Sequence, residues 1–173
     1  MKSEIQYIRE LAKKQLEYAL SAENKKREEL WYRHNSLNGQ EGFPVVVEED
    51  TFFNGVCPQL KCEDPLLREM EYQIVKNIWA RENINDDKVT PDFFSMYPIV
   101  DINWFGINFT RIYDSNYVGY HTEKVIEVIE DDFDKISHTR LNFREEDTKN
   151  KAERAQEILG NILPVRFINP YNI

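Results

Sequence analysis

The sequence predicts an α+β fold, with N-terminal helices, a small, largely antiparallel sheet and no complete TIM barrel. Three observations carry this. Apolar residues recur at helical spacing over residues 4–20 and 65–82, as in helices with one buried face. The period changes to two over residues 97–113, as in half-buried strands. The 173 residues fall short of the roughly 200–250 that a (β/α)8 barrel needs, and suit one domain of about 100–200 residues. That domain, 1–173, is expected to be helical over 1–38 and α+β over 43–173.

Ser3 with Gln6 three residues on has the form of a capping box. Ile5, Ile8, Leu11, Ala12, Leu16, Ala19 and Leu20 follow at helical spacing, predicting a helix over 4–20. Ser21 can cap a second helix over 23–35 that buries Leu30, Trp31 and Leu37, and Asn38-Gly39 with Gly42 mark the turn that ends it. Phe43-Pro44-Val45-Val46-Val47-Glu48 is short, β-branched and bounded by turn residues, so it reads as a strand. A loop with Asn54-Gly55 and Cys57-Pro58 leads to Asp64-Pro65, an N-cap followed by proline at the first helical position. Leu67, Met70, Ile74 and Ile78 then form a stripe flanked by Leu66 and Val75, predicting a helix over 65–82 that Asn85-Asp86-Asp87 closes.

Residues 97–104 and 107–113 alternate around Gly106 as two strands, and 125–129 could extend their sheet. Residues 131–136 are a polar turn or short helix. A helix over 148–159 is capped by Asp147, turns Ala152, Ala155, Ile158 and Leu159 inward, and ends at Gly160. Residues 163–168 are strand-like.

Composition excludes several classes. A chain with 41% hydrophobic and 13% aromatic residues has enough apolar surface to fold. No window approaches the roughly 18 uncharged apolar residues of a membrane span. The charged start, Met1-Lys2-Ser3-Glu4-Ile5, lacks the apolar core of a signal peptide, so the expected location is the cytoplasm. The net charge of −9 repels phosphate backbones and anionic lipid, so neither nucleic acid nor membrane is an expected partner. The one cationic triplet, Lys25-Lys26-Arg27, is followed at once by Glu28-Glu29.

The motifs that carry chemistry are sparse. Cys57 and Cys62 have no second ligand pair, and His34, His121 and His138 lie far apart. A structural zinc site wants four ligands in paired spacing, so the reading is two unpaired thiols and no metal. Glu130-Asp131-Asp132-Phe133-Asp134 lacks the alternation, glycine and terminal glutamate of a calcium loop. The six glycines form no phosphate-cradling motif. Asn103-Trp104 beside Gly106 is read as ordinary packing, with a pocket wall as the alternative. Residues alone define a soluble acidic α+β domain.

Several segments together carry a resemblance. They are Ile8-Arg9-Glu10-Leu11-Ala12-Lys13-Lys14-Gln15-Leu16-Glu17, Ser21-Ala22-Glu23-Asn24, Leu30-Trp31-Tyr32-Arg33-His34-Asn35, and Pro44-Val45-Val46-Val47-Glu48. Cys62-Glu63-Asp64-Pro65-Leu66, Asp86-Asp87 and Pro98-Ile99-Val100 continue it, and Glu153-Arg154-Ala155-Gln156-Glu157-Ile158-Leu159-Gly160-Asn161-Ile162-Leu163-Pro164-Val165 ends it. The chain resembles, over nearly its whole length, the N-terminal, pre-barrel region of uroporphyrinogen-decarboxylase-like proteins. In that superfamily a TIM barrel carries catalysis, and members are decarboxylases or corrinoid-linked methyltransferases acting on methoxy or methylamine-type substrates.

The arginine-rich substrate motif of the decarboxylases is absent here, as are the C-terminal His and Cys zinc ligands of the coenzyme-M methyltransferases. No catalytic or cofactor-binding residue is carried over. The resemblance implies a segment that is not catalytic by itself, binds no cofactor alone, and belongs to a system using a corrinoid (cobalamin). The alternative is a non-catalytic module that docks on a separate barrel or corrinoid protein. An unrelated binding domain is the third reading. A protein partner is expected in either of the first two, whether a barrel, a corrinoid protein or a second copy.

Overall fold

The computed structural model describes residues 2–36, 42–48, 52–113 and 119–168. It has the mixed α+β class the sequence predicts, with no closed barrel among the described residues. The chain forms two compact units, Met1–Tyr97 with Asn150–Ile173, and Pro98–Lys149. In sequence, the second is an insertion into the first.

Three long helices build the core of the larger unit. Helix α1 spans Lys2–Ala19 and buries Ile8, Ala12, Gln15 and Ala19 at helical spacing. Ser3 lies inside it, which corrects the capping-box reading. Helix α2 spans Ala22–Asn35, with the Ser21 hydroxyl accepting the Asn24 N–H at 3.2 Å as expected. It buries Asn24 and Arg27, whereas Leu30 and Trp31 are only half-buried. The predicted apolar face is corrected to a polar one, because Asn24 pairs with the backbone of Thr90 and Arg27 with Asn85. Leu37, Asn38 and Gly39 lie outside the described residues.

A single turn, α3 (Phe53–Val56), stands in the expected loop. It seats Phe53 edge-on against Tyr72 and Trp79, each ring centre 5.5 Å away. Helix α4 runs Pro65–Asn83, and Asp64 accepts the Leu66 and Leu67 N–H groups at 3.0 and 3.1 Å. Its stripe Leu67, Met70, Ile74 and Ile78 is buried with Ile8 and Ala12 of α1. Ala155, Ile158 and Leu159 of a further helix, α6 (Glu145–Leu159), belong to the same core, together with Phe94 and Met96.

Those last two belong to β1 (Phe94–Met96), which pairs in parallel with β6 (Val165–Phe167), Phe94 opposite Val165 and Met96 opposite Phe167. The α4 stripe therefore packs with a parallel pair, not the antiparallel sheet expected. A parallel pair needs a long crossover, and the insertion and α6 supply it. Helix α6 spans Glu145–Leu159. It starts three residues ahead of the predicted 148, since Glu145, Glu146 and Asp147 form its first turn, where the helix dipole favours acids. Gly160 ends it at φ +61°, and a β-carbon there would lie 2.8 Å from Arg9 Nη1. That guanidinium donates to the Ile158 carbonyl at 2.9 Å.

Residues 43–48 form no strand, which corrects that expectation. The Val45 and Val47 N–H groups donate to the Asp87 and Asp86 carboxylates at 2.9 and 2.7 Å. Side chains thus take the place of a neighbouring strand.

The insertion holds two antiparallel pairs, β2 (Val100–Asn103) with β5 (Arg140–Phe143) and β3 (Arg111–Tyr113) with β4 (Tyr120–Thr122). Both are shorter than the alternating runs suggested, and β4 and β5 carry no such alternation. Tyr97 and Pro98 lie outside β2, and proline lacks the N–H a ladder uses. Residues 125–128 are not strand because Asp132 Oδ2 accepts the Glu127 and Val128 N–H groups at 2.8 and 3.3 Å. Helix α5 (Ile129–Asp132) and the turn after it match the predicted polar turn.

Leu67 is 1% exposed in this core. Leu67→Ala is expected to cost about 2–5 kcal/mol and lower the melting temperature measurably. An unmoved transition would place the stripe in water.

Candidate functional site

The residues singled out by sequence do not converge. Cys57 is half-buried, Cys62 is fully buried, and both are reduced thiols. Among the described residues no three His, Cys, Asp or Glu side chains gather as a metal site would require. In the acidic run, Asp132 is engaged by the two amides above and by Lys135 at 2.7 Å, which holds its carboxyl down at about 2.

Glu71 is the group that sequence reasoning missed. Only 1% exposed, it accepts the Lys61 and Cys62 N–H groups at 2.8 Å each and the Tyr7 hydroxyl at 3.1 Å. The signal was available, since position 71 falls on the apolar stripe four residues after Leu67. A charge there must be paired to be buried. Burial, then the Glu71 charge, pushes both the Tyr7 hydroxyl and the Cys62 thiol up to about 12. Such a thiol stays protonated near neutrality and is a poor nucleophile in this setting.

An open cleft of about 540 Å³ runs along α2. Glu28, Trp31, Tyr32 and Asn35 share one helical face there, opposite Phe93 and Arg166. The Trp31 indole N–H is tied to the Asp87 carbonyl at 2.8 Å. The Arg166 guanidinium covers the Phe93 ring at 4.6 Å and lies 3.7 Å from Asp92.

The insertion presents a different surface. Thr148 is its one buried side chain among the described residues. Trp104 and Phe105 stand about half exposed on a tight turn, which corrects the expectation that Asn103-Trp104 is packed. Phe105 has φ +55°, a conformation bulky residues avoid. It is held there on both sides, since Thr139 Oγ1 accepts its N–H at 3.1 Å and its carbonyl accepts the Ser137 N–H at 2.7 Å. Gly106 is obligatory, as a β-carbon there would fall 2.0 Å from Ser137 Oγ. The fixed backbone aims two large aromatic side chains outward.

No family model, curated protein or solved structure matches the chain. No helix among the described residues is long and apolar enough to cross a membrane.

Two pH outcomes follow from these groups. Unfolded, Cys62 and Tyr7 ionise near 9.0 and 10.0, but folded only at about 12. The unfolded chain loses those protons first, so stability should fall as pH rises from 9 toward 12. Denaturant melts should show this, with Tyr7→Phe flattening the decline. On the acid side, Arg154, 2.6 Å from Asp64 Oδ2, holds that carboxyl below its ordinary 3.8. Its contribution is present above that value and disappears as pH falls through the lowered one. In Arg154→Ala, acid unfolding should therefore begin at higher pH.

Proposed function

We propose that the chain is the non-catalytic N-terminal segment of a uroporphyrinogen-decarboxylase-like, corrinoid-linked methyltransferase. It acts by resting on the barrel that carries the chemistry. The observation that supports this is the insertion, Pro98–Lys149, whose described apolar side chains are all at least partly exposed. A unit of that size needs a buried core, a staple or a partner for stability, and exposed aromatic clusters mark interfaces. Trp104 and Phe105, clamped in a strained turn, have the character of interface anchors, which are enriched in large aromatics. A second reading, an independent module docking on a separately encoded barrel or corrinoid protein, draws on the same surface. The two differ in whether the barrel follows in the same open reading frame.

The test is complex formation between this chain and the barrel or corrinoid protein encoded with it, followed by calorimetry. Trp104→Ala with Phe105→Ala should weaken the complex by about 2 kcal/mol or more, roughly 30-fold, while leaving the melting temperature of the chain in place. Equal binding by the double variant would remove the anchors, and absence of any complex would sink the proposal.

A further inference from the structure

We infer that the cleft along α2 binds a guanidinium group, an arginine side chain carried on a short peptide. None of its residues enters the docking reading above, so either can fail without the other. The cleft already contains one such pairing. On its strand wall the Arg166 guanidinium lies 4.6 Å from the centre of the Phe93 ring and 3.7 Å from an Asp92 carboxylate oxygen. Ring, carboxylate and planar cation form one unit, because a guanidinium stacks on an aromatic face while its edge donates to a carboxylate.

The opposite wall repeats the ring and the carboxylate. Glu28 lies three residues before Trp31 and four before Tyr32, spacings that bring side chains together on one helical face, and all three line the cleft. The Trp31 ring is fixed, since its indole N–H donates to the Asp87 carbonyl at 2.8 Å and the His34 ring stands edge-on at 6.2 Å. Tyr32 is 76% exposed. Among the described residues Glu28 makes no hydrogen bond or ion pair, and no cation of the chain lies over Trp31 or Tyr32.

Electrostatics select the sign of the ligand. Arg166 is answered by Asp92, which leaves Glu28 as the unanswered charge of the cleft, and the whole chain carries −9. An anion would meet that carboxylate and that field together. An ammonium could use the rings, but a guanidinium presents a flat face to a ring and paired N–H groups to Glu28 at once. Size selects the body that carries the head. A volume of about 540 Å³ matches sites for drug-sized molecules and exceeds what one planar head fills, which leaves room for the residues flanking an arginine.

The test is titration of the chain with a blocked pentapeptide that has arginine at its centre, read by the NMR shift of the Trp31 indole N–H, with Trp31→Phe assigning the signal. The same peptide with citrulline keeps arginine's shape without its charge, and one with lysine changes the head. Saturable binding with a Kd on the order of 1 mM or tighter is expected for the arginine peptide, weakening as salt is added. The citrulline and lysine peptides should bind roughly tenfold and fivefold more weakly. Glu28→Gln and Tyr32→Ala, both at exposed positions, should keep the melting temperature and weaken the arginine peptide by roughly fivefold each. No saturable shift overturns the site, and equal binding of the citrulline peptide overturns the choice of a cation. Equal binding of the lysine peptide overturns the choice of head. Unchanged binding by both variants removes the ligand from this wall of α2 and overturns the assignment. N-acetyl-arginine amide binding as tightly as the pentapeptide would make the ligand a free small molecule and overturn the peptide.

Discussion

Residues 90–93 lead into β1 with no strand beside them, and β1 itself has a strand on one side only, yet buried backbone groups must still find partners. Side-chain amides supply those partners. Asn24 brackets Thr90, accepting its N–H at 2.8 Å and donating to its carbonyl at 3.0 Å. Gln15 donates to the Pro91 and Phe93 carbonyls at 2.9 and 3.3 Å and is itself held by Asn77 at 3.1 Å. Gln73 completes the row at Ser95. Helices α1, α2 and α4 thereby act together as a surrogate strand. The position of β1 against the helices follows from that row. Buried polar networks of this kind specify one arrangement when fully satisfied.

Glu71 plays the corresponding part at the other end of α4. Its carboxylate gathers the 61–62 backbone and Tyr7, so the segment entering the Asp64 cap is fixed before the helix begins. Removing one partner from a buried charge costs more than the pair contributes net. The larger unit is thus set by a few exacting polar contacts inside an otherwise ordinary apolar core. The insertion shows the opposite economy, with short ladders, a clamped turn and apolar side chains left at the surface.

Helices α1, α2 and α4 were legible in the sequence because spacing, Ser21, Asp64 and Pro65 all pointed the same way. The inward face of α6 and its glycine end were legible for the same reason. Strands were legible in part: the runs 97–104, 107–113 and 163–168 each hold a shorter strand, while two other runs failed for specific causes. The 43–48 run has strand composition, yet Asp86 and Asp87 satisfy its amides, a distant choice that local pattern cannot reveal. Residues 125–128 lost their ladder to Asp132. Parallel pairing of Phe94–Met96 with a segment some seventy positions later has no local signal at all. Of the candidate surface, Gly106 hinted at a turn, but the positive φ of Phe105 depends on Ser137 and Thr139. The amide row was invisible because Asn24, Gln15 and Gln73 look like ordinary solvated helix residues.

The insertion between β1 and β6 also has a consequence in time. A ribosome extending the chain at about 5–20 residues per second makes β1 several seconds before Val165 emerges to pair with it. During that interval α1, α4 and β1 are complete, but Ala155, Ile158 and Leu159, which share their core, have not yet been made. Phe94 and Met96 are then apolar groups without their cover. The amide row is already present by that point, since Asn24, Gln15, Gln73 and Asn77 all precede residue 90. It can hold the nascent strand against the helices and keep one edge closed to other chains. The same contacts that fix the finished register would then act first as a guard on an unfinished one.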